Sequence, residues 1–136
     1  MASMAGLLFW AVAGWIAVVP CAIANGALRE LVLIPRFGVR TAQPISGVLG
    51  SIIIGVIIFV MVGQIGPRPT ATFLLIGGGW MIATLIFEFS MGFASRKSWD
   101  EMLAQYRFAD NNLWTLVVLW IALAPWLLAQ WRGLIA

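Results

Sequence analysis

The sequence predicts an all-α polytopic membrane protein: four transmembrane helices in a compact bundle, with a short amphipathic helix at the interface. Three observations predict it. Residues 1 to 28, 41 to 67, 69 to 87 and 111 to 131 carry no charged side chain, and an apolar stretch of about 20 residues is what a helix needs to cross the hydrocarbon core of a bilayer. Apolar residues make up 62% of the 136 residues, and the mean hydropathy is +1.01; a soluble domain is about 45 to 50% apolar. Of the eight cationic residues, Arg29, Arg36, Arg40, Arg96, Lys97 and Arg107 fall in two gaps that a four-span thread puts on one side. Arg68 and Arg132 fall on the other. That asymmetry makes the first side cytoplasmic and puts both termini outside. The four spans and their connections use up the chain, so residues 1–136 read as a single transmembrane domain.

The first span is expected over about 6–27, with Pro20 kinking it by freeing the carbonyl of Ile16. Its start also has the look of a signal peptide, Leu7 to Val19 followed by Pro20 and Ala22-Ile23-Ala24. Met1 to Gly6 lacks a basic region, however, and cleavage would tend to reverse the charge bias, so the span is expected to stay uncleaved. Arg29 to Pro44, with Pro35 and Pro44, reads as a cytoplasmic loop whose apolar Leu31 to Ile34 lies at the interface. The second span, about 45–63, sets Gly47, Ser51 and Gly55 four residues apart on one smooth face, a surface for close helix packing within the chain. Gly66-Pro67-Arg68-Pro69 forms a short outer turn.

The third span, about 70–90, contains Gly77, Gly78 and Gly79, tolerated in membrane helices because glycine permits close backbone contact. Ser98-Trp99-Asp100-Glu101 is a capping box. Trp99, Met102, Leu103 and Tyr106 then recur at helical spacing, which predicts an amphipathic interfacial helix over about 98–108. Asp110-Asn111-Asn112 ends it, and the fourth span, about 113–131, is kinked by Pro125. Of the eight tryptophans, Trp10, Trp114 and Trp131 fall at span ends, where indoles form interfacial belts. Trp15, Trp80 and Trp120 lie deeper and are expected to pack the bundle.

Absences narrow the function. With no histidine and the single cysteine Cys21, imidazole metal sites, His-ligated haem, zinc and iron–sulfur sites are excluded, together with histidine acid–base chemistry and an intramolecular disulfide. No nucleotide-binding or serine-hydrolase motif occurs. No catalytic residue and no cofactor are therefore expected. The pI near 10 arises from cations beside helix ends, which meet lipid head groups rather than nucleic acid.

Glu88, among Ile86, Phe87 and Phe89, is the most pointed residue, because an ionised side chain at a helix centre costs about 2.5–3.5 kcal/mol. It is expected to join Asn25, Arg29 and Glu30 in an intramembrane polar cluster and to pair with Arg29. The alternatives are a proton or cation site, or a side chain that snorkels to the interface. Arg36, Arg40, Arg96 and Lys97 are expected to contact lipid head groups. Arg29, Arg36 and Arg40 together could hold a phosphate, although threading alone accounts for them.

At Asn25-Gly26-Ala27-Leu28-Arg29-Glu30, Ser46-Gly47, Phe87-Glu88-Phe89 with Gly92, Trp99 to Tyr106, and Leu113-Trp114, the chain resembles small four-span inner-membrane proteins of bacteria that have no assigned activity. The resemblance covers most of the chain and implies the bacterial inner membrane, but carries over no ligand or catalytic residue. The small multidrug exporters, of similar size, keep their acidic residue in the first span, and here that span has none. The pattern of the small fluoride channels is absent too. The sequence thus points to a non-enzymatic structural or accessory component in contact with the lipid bilayer, with anionic lipids on its cytoplasmic face, acting alone, as a homo-oligomer or in a larger membrane complex. The alternative is a small transporter or channel using Glu88.

Overall fold

The computed structural model describes residues 3–136, and its elements are helical throughout. In chain order they are α1 (Met4–Leu28), a π-helical turn (Arg29–Leu33), α2 (Ile34–Phe37), α3 (Val39–Ile65), α4 (Thr70–Ala94), α5 (Trp99–Ala104) with a 3-10 turn (Gln105–Arg107), a second 3-10 turn (Ala109–Asn111), and α6 (Trp114–Trp131). Four stretches are long and apolar enough to cross a membrane: Met4–Phe37, Val39–Ile65, Thr70–Ala94 and Trp114–Trp131. The chain is a multi-pass all-α bundle. Its outward faces carry Val12 and Ile16, Ile52 and Val56, Leu75 and Ile86, and Leu116 and Leu119, all exposed. In water so continuous an apolar surface would drive aggregation, whereas acyl chains solvate it.

The backbones pack in the order α1, α3, α6, α4. The face of Gly47, Ser51 and Gly55 meets α6: Leu113 lies over Gly47, and the Trp120 ring lies over Gly55 and donates its indole N–H to the Ser51 carbonyl at 3.0 Å. Small residues thus packed within the chain, as expected. Trp80 donates to the Ala11 carbonyl at 3.0 Å and Trp15 to the Thr84 hydroxyl at 3.1 Å. All three deep indoles therefore pack the bundle with their N–H satisfied. Leaving one unsatisfied would cost about 1–3 kcal/mol.

Cationic residues segregate as the threading requires. At one end Arg68 exchanges backbone hydrogen bonds with Leu134 and Ala136, at 3.0 and 2.9 Å. Arg132 lies there too, donating to the Phe59 carbonyl at 2.7 Å and covering the Phe59 ring at 4.3 Å. Arg29, Arg36, Arg40, Arg96, Lys97 and Arg107 lie at the opposite end, called here the cationic end.

The expected loop from Arg29 to Pro44 is helical instead. The first span extends to Phe37 and is broken only at Gly38, whose φ of 81° suits glycine; α3 then begins at Val39 rather than Ile45. Two devices accommodate the prolines. The wide π turn lies where the Pro35 ring must clear the Leu31 carbonyl. Pro44 cannot bond the Arg40 carbonyl, and the Asn111 side chain donates to that carbonyl at 3.1 Å.

The capping box forms, with Ser98 Oγ accepting from the Glu101 amide at 3.2 Å and Glu101 Oε1 accepting from the Ser98 amide at 3.3 Å. The apolar face of α5, however, docks on the bundle. Trp99 meets Phe93 edge-on at 5.1 Å, Tyr106 stacks on Phe89 at 6.0 Å, and Met102 is buried over Gly92. Of the expected face only Trp99 and Leu103 stay exposed.

Candidate functional site

The two halves of the bundle are packed differently. Near the turn between α3 and α4, Ile58, Met61, Val62, Ile65, Phe73, Ala124 and Ala129 are all but inaccessible, a core closed like the interior of a soluble protein. Towards the cationic end α1, α3, α4 and α6 surround a cavity of about 370 Å³, within the usual size of a small-molecule site.

The walls of the cavity grade from apolar to polar. Val18, Ile54, Val117 and Ile121 line its depth, with Trp15 and Thr84 at the floor. Arg29, Gln43, Ser46, Glu88, Lys97, Glu101, Gln105 and Asn112 line its upper part. Along α4 the lining runs from Ser95 to Thr84, and at 1.5 Å per residue these lie about 16 Å apart. The cavity thus reaches roughly the middle of a hydrocarbon core of about 30 Å. On α1 and α3 the small Ala22, Gly26 and Ser46 line it, while Gly47 and Gly50 let Leu113 and Asn25 approach closely.

The cavity is bounded on one side by α1 and α4, which pack against α3 and α6 more than against each other. Ile23 on α1 and Met91 on α4 both line it and are both exposed. Trp15 meets Phe87 edge-on at 6.2 Å. Among the described residues, no hydrogen bond or ring contact between α1 and α4 lies closer to the cationic end than this one.

The expected polar residues gather here with different partners. Glu88 accepts a hydrogen bond from Gln105 Nε2 at 3.2 Å. Arg29 is 3.5 Å from Glu30 and donates to the Ser46 hydroxyl at 3.4 Å. The expected Arg29–Glu88 pair is therefore not formed. α1 and α4 touch through Trp15, Thr84 and Phe87 but make no hydrogen bond or ring contact nearer the cationic end among the described residues, so two residues at the same depth there do not meet. Glu30 is largely exposed and contributes little beyond orienting Arg29. Asn25 donates from Nδ2 to the Ser46 carbonyl at 2.9 Å, and its Oδ1 is buried without a partner.

Nor do the head-group candidates form one cluster. Arg40 is 3.6 Å from Asp110, Arg29 has its own partners, Arg36 and Arg96 are exposed, and Lys97 lines the cavity. Arg29, Arg36 and Arg40 therefore do not share one phosphate site.

Gln105 and Ser46 are site residues that sequence reasoning missed. The capping box locates Gln105 just past α5, yet nothing in the spacing aims it at Glu88. Tyr106 accepts from the Trp114 indole at 2.9 Å, and its carbonyl accepts from the Thr115 hydroxyl at 3.0 Å. Burial pushes the Tyr106 hydroxyl above the ordinary phenol value, the Trp114 hydrogen bond opposes this, and the charge of Glu88 adds to it. The side chain therefore stays protonated through neutral pH and pins the segment after α5 to α6.

No protein-family model, curated protein or solved structure matches the chain significantly.

The geometry predicts how stability responds to paired substitutions. In a double-mutant cycle of Glu88→Gln and Arg29→Met, the changes should add within about 0.5 kcal/mol. Glu88→Gln with Gln105→Ala should instead couple by about 1 kcal/mol. Unfolding in mixed micelles reads both, and strong coupling of Glu88 to Arg29 would contradict their separate partners.

Proposed function

We propose that the chain is a non-enzymatic protein of the bacterial inner membrane that serves as an accessory binding component, acting through the cavity at the cationic end. That end faces the cytoplasm, and both termini face the periplasm. Six cations against two support the orientation, and the resemblance of the polar motifs supports the bacterial membrane. Anionic lipids meet the exposed arginines at the cytoplasmic face, and the side between α1 and α4 is where a second copy or a larger membrane partner would reach the cavity.

One observation carries the reading: the cavity ends at Trp15 and Thr84, and the other half of the bundle is filled. Such a shape holds a ligand and does not conduct one.

A second reading, a small transporter, is favoured by the presence of Glu88 in a cavity open at one end only, the arrangement of one state of an alternating-access carrier. Liposome flux separates the two. The binding reading expects no proton or cation flux above that of empty vesicles, and equal behaviour of Glu88→Gln. Flux that this substitution abolishes would establish the transporter instead. The binding reading further expects a ligand to remain through purification in native lipid, read by mass spectrometry.

A further inference from the structure

We propose that the cavity takes a zwitterionic amphiphile carrying a primary ammonium and a phosphate, the chemistry of an aminophospholipid, admitted sideways from the bilayer between α1 and α4. The proposal rests on the binding reading and names its ligand.

Charge comes first. The polar part of the lining holds two cations, Arg29 and Lys97, and two carboxyl side chains, Glu88 and Glu101. An anionic ligand would be drawn to one pair and repelled by the other, and so would a cationic one. A ligand with both signs satisfies both pairs: a guanidinium offers a planar fork to phosphate oxygens, while a carboxyl group accepts from an ammonium.

The acceptors favour an ammonium that has N–H groups. Gln105 is the single hydrogen-bond donor to Glu88 among the described contacts, which leaves the carboxyl group able to accept more. Unmet acceptor capacity of this kind calls for a donor. A trimethylated ammonium has none to give.

The shape requires an amphiphile. Most polar groups occupy the part nearest the cationic end, and the depth is largely apolar, Val18, Ile54, Val117 and Ile121 above a floor of Trp15 and Thr84. The volume of about 370 Å³ holds a head group and the start of a chain rather than a whole lipid. The rest of the chain would leave between α1 and α4, beside the exposed Ile23 and Met91, into the region of acyl chains.

The test uses the full-length chain, delipidated in uncharged detergent and then offered four amphiphiles of matched chain length in turn. These are phosphatidylethanolamine, phosphatidylglycerol, phosphatidylcholine and a primary alkylamine. Native mass spectrometry reads retention, and maleimide labelling of Cys21, which is half-buried in the cavity wall, reads occupancy. Glycerophosphoethanolamine, the head group without chains, separates a lipid from a free zwitterion.

The expected result is one phosphatidylethanolamine per chain, held at least tenfold more tightly than the other three, with Cys21 protected and the chainless head group much weaker. Glu88→Gln and Arg29→Met should each reduce that affinity about tenfold. If either variant does not fold, the exposed Lys97→Met and the lipid panel on the unaltered chain still decide. Phosphatidylglycerol held as well as phosphatidylethanolamine, and insensitive to Glu88→Gln, would overturn the proposal in favour of an anionic-lipid site. An alkylamine held as well, and insensitive to Arg29→Met, would overturn it in favour of a cation site. Retention of some other native ligand with Cys21 protected would overturn the lipid class and leave the binding reading standing. Nothing retained and Cys21 never protected would overturn both.

Discussion

Replacing Gly77 by alanine is expected to lower the stability of the bundle by about 3 kcal/mol, at the upper end of the usual cost of overpacking. At Gly77 the backbones of α4 and α6 approach so closely that an added Cβ would collide with the Ala122 carbonyl oxygen and lie 2.8 Å from its carbon. A backbone obstacle cannot rotate away, so the two helices would have to separate. Gly78 and Gly79 provide the control, because a Cβ there meets nothing within 4 Å. Alanine at either should be neutral within about 0.5 kcal/mol, or slightly stabilising through helix propensity. Unfolding by steric trapping in a bilayer mimic measures all three. Equal effects would mean that α4 and α6 do not meet at Gly77.

That contrast shows what a sequence can and cannot convey here. Three consecutive glycines mark a place where something comes close, but which glycine faces a neighbour depends on a rotation of 100° per residue and on where α6 lies. The four spans were legible because bilayer thickness fixes their length and a charge is expensive inside them. The small-residue face at Gly47, Ser51 and Gly55 was legible as a face, although its partner, Trp120, was not.

The stretch from Arg29 to Pro44 was misread for a physical reason. Proline breaks a helix by orphaning a carbonyl and crowding the preceding turn, and both effects can be offset from elsewhere in the fold. A π turn relieves the crowding near Pro35, and Asn111, distant in sequence, donates to the orphaned Arg40 carbonyl. Glu88 was legible as a residue needing a partner. Depth along the membrane suggested Arg29, but lateral position decides contact, and Gln105 reaches Glu88 while Arg29 turns to Glu30 and Ser46. The cavity is a tertiary property: residues from α1, α3, α4, α5 and α6 meet around it, and no local spacing records which of them will.

Replacing Gly92 by leucine is expected to open the cavity and raise the rate of Cys21 modification about tenfold, equivalent to about 1.4 kcal/mol of local opening. Gly92 is the seat of α5: Met102 is buried against it, and a Cβ there would press into the thioether and lie 2.9 Å from Met102 Cγ. Unlike the Ala122 carbonyl, a methionine side chain can rearrange, so alanine at Gly92 should be absorbed with little change. Leucine fills the seat altogether. With Met102 displaced, α5 loses its buried contact and carries Gln105 away from Glu88, while Lys97, Glu101 and Gln105 cease to form one rim of the cavity. Shortening Met102 to alanine in the leucine variant should restore room and slow labelling again, which separates a displaced rim from general unfolding. If labelling were fast but insensitive to that second change, the bundle itself would have loosened. If Gly92→Leu left the rate unchanged, α5 would not control access to Cys21, and the mouth would have to be sought at the side between Ile23 and Met91.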